Sequence, residues 1–283
     1  MEKYRLLRDL VANNPEIELI EPAAATNQDL LRAHDVEYIE AVTQGKLTEA
    51  QIREIGFPWT EAMVERSRRS AGATIAACLS ALKEGVSVNL AGGTHHAYAD
   101  KGSGFCVFND AAVAARYVQA LQPTRVAVID LDVHQGNGTA AILGRDSSCF
   151  TLSLHGEKNF PFRKEDSHLD IGLPDGCGDD EYLKILQQAL IELERRFTPE
   201  LIIYLAGADP HEGDRLGRLK LTMHGMAERD RLVLGFAREL RCPIAIAMAG
   251  GYGRNIQTTV DVHHQTIQLA LQYHQQINPK VSQ

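Results

Sequence analysis

Asp132 and His134 stand two residues apart, just past the apolar run Val126-Ala127-Val128-Ile129. The run reads as a buried strand, and on an extended chain positions two apart share a face. A carboxylate and an imidazole converging at the carboxyl end of a parallel strand suit a divalent transition metal. Taken alone, the pair reads more often as a polar strand end that caps the next helix. Three other stretches put polar groups at the same topological point. His95 and His96 follow a short strand and two glycines, Asp209 follows the apolar run 201–206, and Tyr252 follows the run 244–249 and two more glycines. If these strands are parallel, all four ends gather on one rim. That agreement between separate stretches is stronger than any single motif.

The chemistry these groups allow is specific. Asp132, His134 and Asp209 offer three ligands and leave positions open for water and substrate, as catalytic rather than structural zinc sites do. A bound Zn²⁺ lowers the pKa of its water to about 7 and polarises a carbonyl. His95 and His96 would stand beside that water as proton carriers. Tyr252 can donate to the oxyanion of a tetrahedral intermediate, a contact worth roughly 3–4 kcal/mol. Asp130 faces away from Asp132 on an ideal strand and is free to accept a hydrogen bond from a histidine, raising its basicity. Together these groups describe metal-assisted hydrolysis of an amide or related acyl bond.

The elements that must position them read as strands at 86–91, 126–130, 149–155, 201–206 and 244–249. Helices read at 3–12, 27–43, 61–83, 111–121, 181–197, 223–240 and 256–275. This alternation predicts an α/β protein with a mostly parallel sheet flanked by helices on both faces. Residues 16–20 read as an edge strand. Residues 100–108 and 156–180 read as loops, the second long enough to be of the kind that lines sites. Asn109 or Asp110 is placed to cap the helix at 111. His34 reads as structural. His211 and Glu212 follow Asp209 closely, and surface solvation is the preferred reading for both.

Composition sets the bounds. A chain of 283 residues, 44% of them hydrophobic, suffices for one large α/β domain or two small ones. With no linker, low-complexity stretch or repeat, one domain over 1–283 is preferred. A net charge of −8 without a basic block argues against nucleic acid as a partner. No apolar run reaches membrane-spanning length and no signal peptide is visible, which argues against a membrane partner. Five cysteines scattered without a C-x-x-C pair fit a reduced, cytoplasmic enzyme better than a disulfide scaffold.

Six stretches then carry a resemblance. They are Gly-Gly-Thr-His-His-Ala at 92–97, Gly-Phe-Cys at 104–106, Asp-Leu-Asp-Val-His-Gln-Gly-Asn-Gly at 130–138, Gly-Ala-Asp at 207–209, Gly-Asp-Arg-Leu-Gly at 213–217 and Gly-Gly-Tyr at 250–252. In this order they resemble the histone deacetylase superfamily, over about residues 34–270, with wording closest to its class IV branch, which includes bacterial members. The resemblance implies the three-layer arginase/deacetylase fold. It implies Zn²⁺, with Fe²⁺ the other candidate, held by Asp132, His134 and Asp209. By position His96 would be the general base and then acid, His95 paired with Asp130 its electrostatic partner, and Tyr252 the group that polarises the scissile carbonyl. Gly104, Phe105 and Leu216 would line an acyl-lysine tunnel, with Phe160 joining them. A structural K⁺ would sit by Asp130, Asp132, His134, Ser153 and Leu154.

Two departures stand out. Where class I members carry an Asp behind the second histidine this chain has Asn137, as class II and IV members do. Asn137 is uncharged, so His96 should be less basic. The rim loop that supplies a substrate-gripping Asp in class I is not recognisable here. The implied activity is removal of an acetyl or longer fatty acyl group from the lysine side chain of a protein or peptide. The alternative is a small acylated amine such as an acetylated polyamine. A binding protein that has lost catalysis is disfavoured by the intact motif set.

Overall fold

Apolar runs of four to eight residues, too short for core helices, become the centre of the fold. The structure is a computed structural model that describes residues 2–279. Among these residues six strands form one sheet, in the order β1 (Val86–Asn89), β6 (Ile244–Ala247), β5 (Leu201–Leu205), β2 (Val126–Asp130), β3 (Cys149–Gly156) and β4 (Leu169–Leu173). Every neighbouring pair is parallel. The expected mostly parallel sheet is therefore wholly parallel. Strands β2 and β5 lie at its centre and are buried along their full length. Such strands need apolar residues on both faces, which is why they read as continuous Val, Ile and Leu.

Alternate residues of those strands feed two cores. Val126, Val128, Ile203 and Leu205 face helices α5 (Glu61–Glu84) and α6 (Asp110–Leu121). Ala127, Ile129, Ile202 and Tyr204 face α8 (Asp179–Arg196), α9 (Met223–Glu239) and α10 (Ile256–Ile277). Small buried residues on α5 (Ala71, Gly72, Ala77, Ala81) let it lie close. Thr60 caps its start by accepting from the amide of Met63. The first helix, α1 (Glu2–Val11), packs on α10.

Sheet order also fixes where a ligand can sit. From β2 the chain moves through α7 (Asn137–Leu143) to β3 on one side, and from β5 through α9 to β6 on the other. The connections after β2 and β5 thus diverge and leave a crevice at the carboxyl ends of two adjacent strands. Asp132 and Asp209 lie on those two connections.

Several local expectations change. The helix expected over 27–43 is two, α2 (Asn27–Leu30) and α3 (Val36–Thr43). The break falls at His34, whose Nδ1 donates to the carbonyl of Tyr98 at 2.9 Å while its Nε2 accepts from the amide of Asn109 at 2.9 Å. These long-range bonds outweigh helical continuity. Residues 16–20 are not a strand: Pro15 and Pro22, which donate no ladder hydrogen bond, bracket them, and Ile20 is exposed. Strand β4 lies inside the expected loop 156–180; its half-exposed edge position and the Asp170-Ile171-Gly172 sequence hide it. Asn109, not Asp110, caps α6. Among the described residues all five cysteines are buried free thiols, and no helix is long and apolar enough to cross a membrane.

His34 carries a pH prediction. Burial lowers its pKa from 6.5 to about 4, only partly offset by its backbone hydrogen bonds. The folded value lies below the unfolded one, so this contribution to stability is whole above pH 6.5 and shrinks as pH falls toward 4. The loss should approach about 3 kcal/mol. In urea titrations across that window, His34→Gln should be less stable at pH 7 but show a flatter pH slope. An unchanged slope would remove His34 from the account.

Candidate active site

The carboxyl end of β2 turns twice rather than running on as a strand. Asp130 Oδ1 accepts the amide of Asp132 at 3.1 Å, and Asp132 Oδ1 accepts the amide of His134 at 2.9 Å. Each is a short side-chain turn of the kind Asp favours. Asp132 and His134 therefore reach the crevice through a curl of backbone and not, as an extended chain would imply, by strand alternation. Asp209 enters from the β5 side, its Oδ1 held at 2.9 Å by the amide of Val133. Asp132 Oδ2 accepts the amide of Gly250 at 2.7 Å. One atom each from Asp132, His134 and Asp209 then lies within 4.8 Å of the others.

This group fits a metal cation. Asp132 and Asp209 are buried at 1% and 0% exposure, and Asp209 Oδ2 has no hydrogen-bond partner. Two dry carboxylates and an unsatisfied oxygen call for compensating positive charge. The imidazole of His134 shows the same field. Burial opposes its charge, yet the Asp132 and Asp209 carboxylates, 2.9 and 3.4 Å from Nδ1, push it up to about 10. Oxygen, nitrogen and oxygen donors together suit a divalent transition ion.

The two histidines are placed by Asp110, at the first position of α6. Its Oδ2 accepts the amide of Gly93 at 3.0 Å, and its Oδ1 accepts the amide of Thr94 at 2.6 Å. The helix N-terminus favours that buried carboxylate. His95 Nδ1 meets Asp130 Oδ2 at 2.6 Å, and His96 Nδ1 meets Asn137 Oδ1 at 2.6 Å. The rings lie 4.1 Å apart between centroids, with His96 5.8 Å from His134. Their protonation is split. Burial opposes charge on His95, but Asp130 and Asp132 outweigh it and hold the ring up at about 9. Burial, then the charges of His95 and His134, hold His96 well below its ordinary value. Asn137 donates from Nδ2 to the Tyr98 hydroxyl at 2.9 Å, and that hydroxyl donates to Glu165 at 3.1 Å. This chain orients the amide, so Asn137 shows its oxygen to His96 and the proton sits on Nδ1. Nε2 is left as the basic nitrogen.

Tyr252 closes the group. Its amide donates to Asp214 at 2.6 Å, and the other oxygen of Asp214 accepts the amides of Leu216 and Gly217 at 2.7 and 2.9 Å. One buried carboxylate thus shapes both the Tyr252 turn and the Leu216 loop. Burial pushes the phenol upward, so its proton stays on at neutral pH. A cavity of about 660 Å³ joins His95, His96, the triad and Tyr252 to Gly104, Phe105, Phe160 and Leu216. All four expected tunnel residues thus line it. Phe105 sits at φ +66°, uncommon for a non-glycine residue. Its amide is tied to the carbonyl of Ile55 at 2.8 Å and its ring packs 5.1 Å from Phe57. Gly104 has no alternative, because a Cβ there would meet His96 Cδ2 at 2.6 Å. Of the residues expected around potassium, Ser153 pairs with Asp130 across the β2–β3 register, and Leu154 follows it.

Some functional neighbours have no readable motif. Arg229 is fully buried on α9; its Nη1 donates to the carbonyls of Gly207 at 2.5 Å and Leu131 at 3.4 Å, beside both ligand loops. Asp110 reads as a cap and Asp214 as one letter of a glycine-rich motif. Contrary to the solvated reading, His211 is buried, accepting the amide of Gly213 at 2.9 Å, while Glu212 is exposed.

Comparison with known proteins agrees with this geometry. The family model of the histone deacetylase domain matches residues 2–267. An uncharacterized protein of Picosynechococcus sp. is 43% identical over 93% of this chain and 89% of its own length. Histone deacetylase 2 of Arabidopsis thaliana is 36% identical over 84% of this chain and 64% of its own. The crystal structure of an HDAC homologue from Aquifex aeolicus superposes with a TM-score of 0.82 at 26% identity, covering 95% of this chain and 77% of that one. With domain, fold and relatives in accord, the chain belongs to the histone deacetylase family and is a deacetylase, a hydrolase.

Proposed function

We propose that this deacetylase is zinc-dependent and removes an acyl group, acetyl or longer, from the side-chain nitrogen of lysine. The observation that carries the reading is one cavity that runs from the half-exposed aromatic Phe105 to the buried triad, with His95, His96 and Tyr252 around it. The apolar lining at Phe105, Phe160 and Leu216 suits a long aliphatic side chain, and the groups at the buried end suit an amide. Asp132, His134 and Asp209 would hold Zn²⁺, which when bound supplies Lewis acidity to a carbonyl oxygen and to water.

The chain's own residues supply the rest. His96, kept neutral, takes a proton from the attacking water on Nε2 and later passes it to the departing amine. His95, kept charged by Asp130, stands beside the developing negative charge and holds His96 neutral until that proton arrives. Tyr252 donates its hydroxyl proton in a hydrogen bond to the oxyanion. Phe160, its ring 4.9 Å from that of His96, shields the base from bulk water. A K⁺ beside Asp130, Asp132, His134, Ser153 and Leu154 belongs to the same reading. The five buried thiols support a reducing, cytoplasmic setting.

One lysine peptide carrying an acetyl, octanoyl or myristoyl group tests this. The zinc-loaded protein should release the acyl group, and chelation should stop it. Preference for the long chains would mean a deep apolar channel past Phe105 and Leu216. No release from any of the three with zinc bound would overturn the reading.

A further inference from the structure

The mouth of the cavity has the opposite charge to the protein. The chain carries a net charge of −8. Yet Lys3, Arg53, Lys158 and Arg218 line the opening, against the single outer carboxylate of Glu54. They come from four separate places: α1, α4 (Glu49–Ile55), the segment after β3 and the loop that carries Leu216. Chance clustering along one segment does not explain that.

Their existing partners leave positive charge over. Glu54 is engaged by Lys101 at 2.8 Å, a further cation. Asp175 serves both Arg218 at 3.0 Å and Lys158 at 3.9 Å. Arg53 reaches Glu49 at 3.4 Å in an exposed pair, a kind that contributes little. Lys3 makes no ion pair among the described residues. Its Nζ donates to the carbonyl of Gly251 at 3.2 Å and lies 5.5 Å from the ring centroid of Tyr252, which puts one cation at the edge of the reacting groups.

Resting on the acyl-lysine reading, we propose that this mouth selects an acyl-lysine flanked by carboxylates, on an acidic segment of a protein. A cleft lined by one sign of charge concentrates substrates of the other sign and rejects its own. An acetylated polyamine, cationic at its far end, meets the wrong field. Four cations spread around the opening match several flanking carboxylates better than the single α-carboxylate of a free acyl-lysine.

The test compares three acetyl-lysine peptides, flanked by glutamates, glycines or lysines, with free Nε-acetyl-lysine and an acetylated polyamine. All are measured with the zinc-loaded full chain. The glutamate peptide should lead the lysine peptide by about tenfold or more in kcat/KM, and the gap should close toward about 0.5 M salt. Removing the charges by Arg53→Gln with Arg218→Gln should lower the glutamate-to-glycine ratio several-fold. That ratio is taken within each protein, so a general loss of activity cancels. Turnover of the glycine peptide without charge preference would overturn the inference and leave lysine deacylation standing. A lead for the polyamine or for free acetyl-lysine would overturn the acidic-segment substrate. No turnover of any peptide would overturn both readings.

Discussion

Tyr252→Phe should lower kcat by roughly two to three orders of magnitude while moving KM by only about twofold. The change removes one oxygen and leaves the ring that packs 6.0 Å from Phe105. Among the described residues the phenol oxygen makes no hydrogen bond, so the fold loses nothing with it. The turn itself is held by its backbone, through Asp214 and through Arg215, which donates to the Tyr252 carbonyl at 3.1 Å. Thermal stability and zinc content should therefore match the parent protein. Loss of an interaction made only as the carbonyl oxygen gains charge lowers kcat and kcat/KM together, and that pattern is the expected one. Full turnover by the phenylalanine variant would take Tyr252 out of the reaction.

The site is more legible in sequence than what supports it, for a physical reason. Asp132, His134, Asp209 and the His95-His96 pair each sit within a few residues of a strand end. Parallel topology brings such ends together whatever the rest of the chain does. Asp110, Tyr98, Glu165 and Arg229 act across tens of residues. Asp110 reads as an ordinary cap because its partners, Gly93 and Thr94, lie 17 and 16 positions away. Arg229 sits between charged neighbours on α9 and reads as a solvated face, yet it is fully buried. Strand β4 escapes because an edge strand needs only one apolar side, and here that side is short. The mouth's charge escapes for the same reason as Arg229: four isolated cations acquire a common meaning only when the fold sets them around one opening.

Gly250→Ala should empty the site of metal. This glycine does not sit at positive φ, so alanine meets no backbone strain there. What it meets is the site itself: a Cβ would lie 2.1 Å from Asp209 Oδ2 and 2.5 Å from Asp132 Oδ2. Neither carboxylate can withdraw freely. Asp209 is held through Oδ1 by the amide of Val133, and Asp132 through Oδ1 by the amide of His134. Behind them Arg229 ties the backbone at Gly207 to that at Leu131. The methyl group must therefore displace Asp209 Oδ2, the oxygen left without a hydrogen bond, and push aside the Asp132 carboxylate. Altering a residue that merely supports a ligand weakens metal binding by about 10–100-fold. Direct overlap with both ligand carboxylates should reach or pass the upper end of that range, and deacylation should fall with it. Competition against a zinc-binding dye reads the affinity without relying on turnover, and far-UV circular dichroism checks that the variant is folded. Parental zinc affinity in a folded Gly250→Ala protein would mean that the metal is held by groups other than Asp132 and Asp209. Weakened affinity with the fold intact would tie binding to the oxygens that this glycine leaves room for.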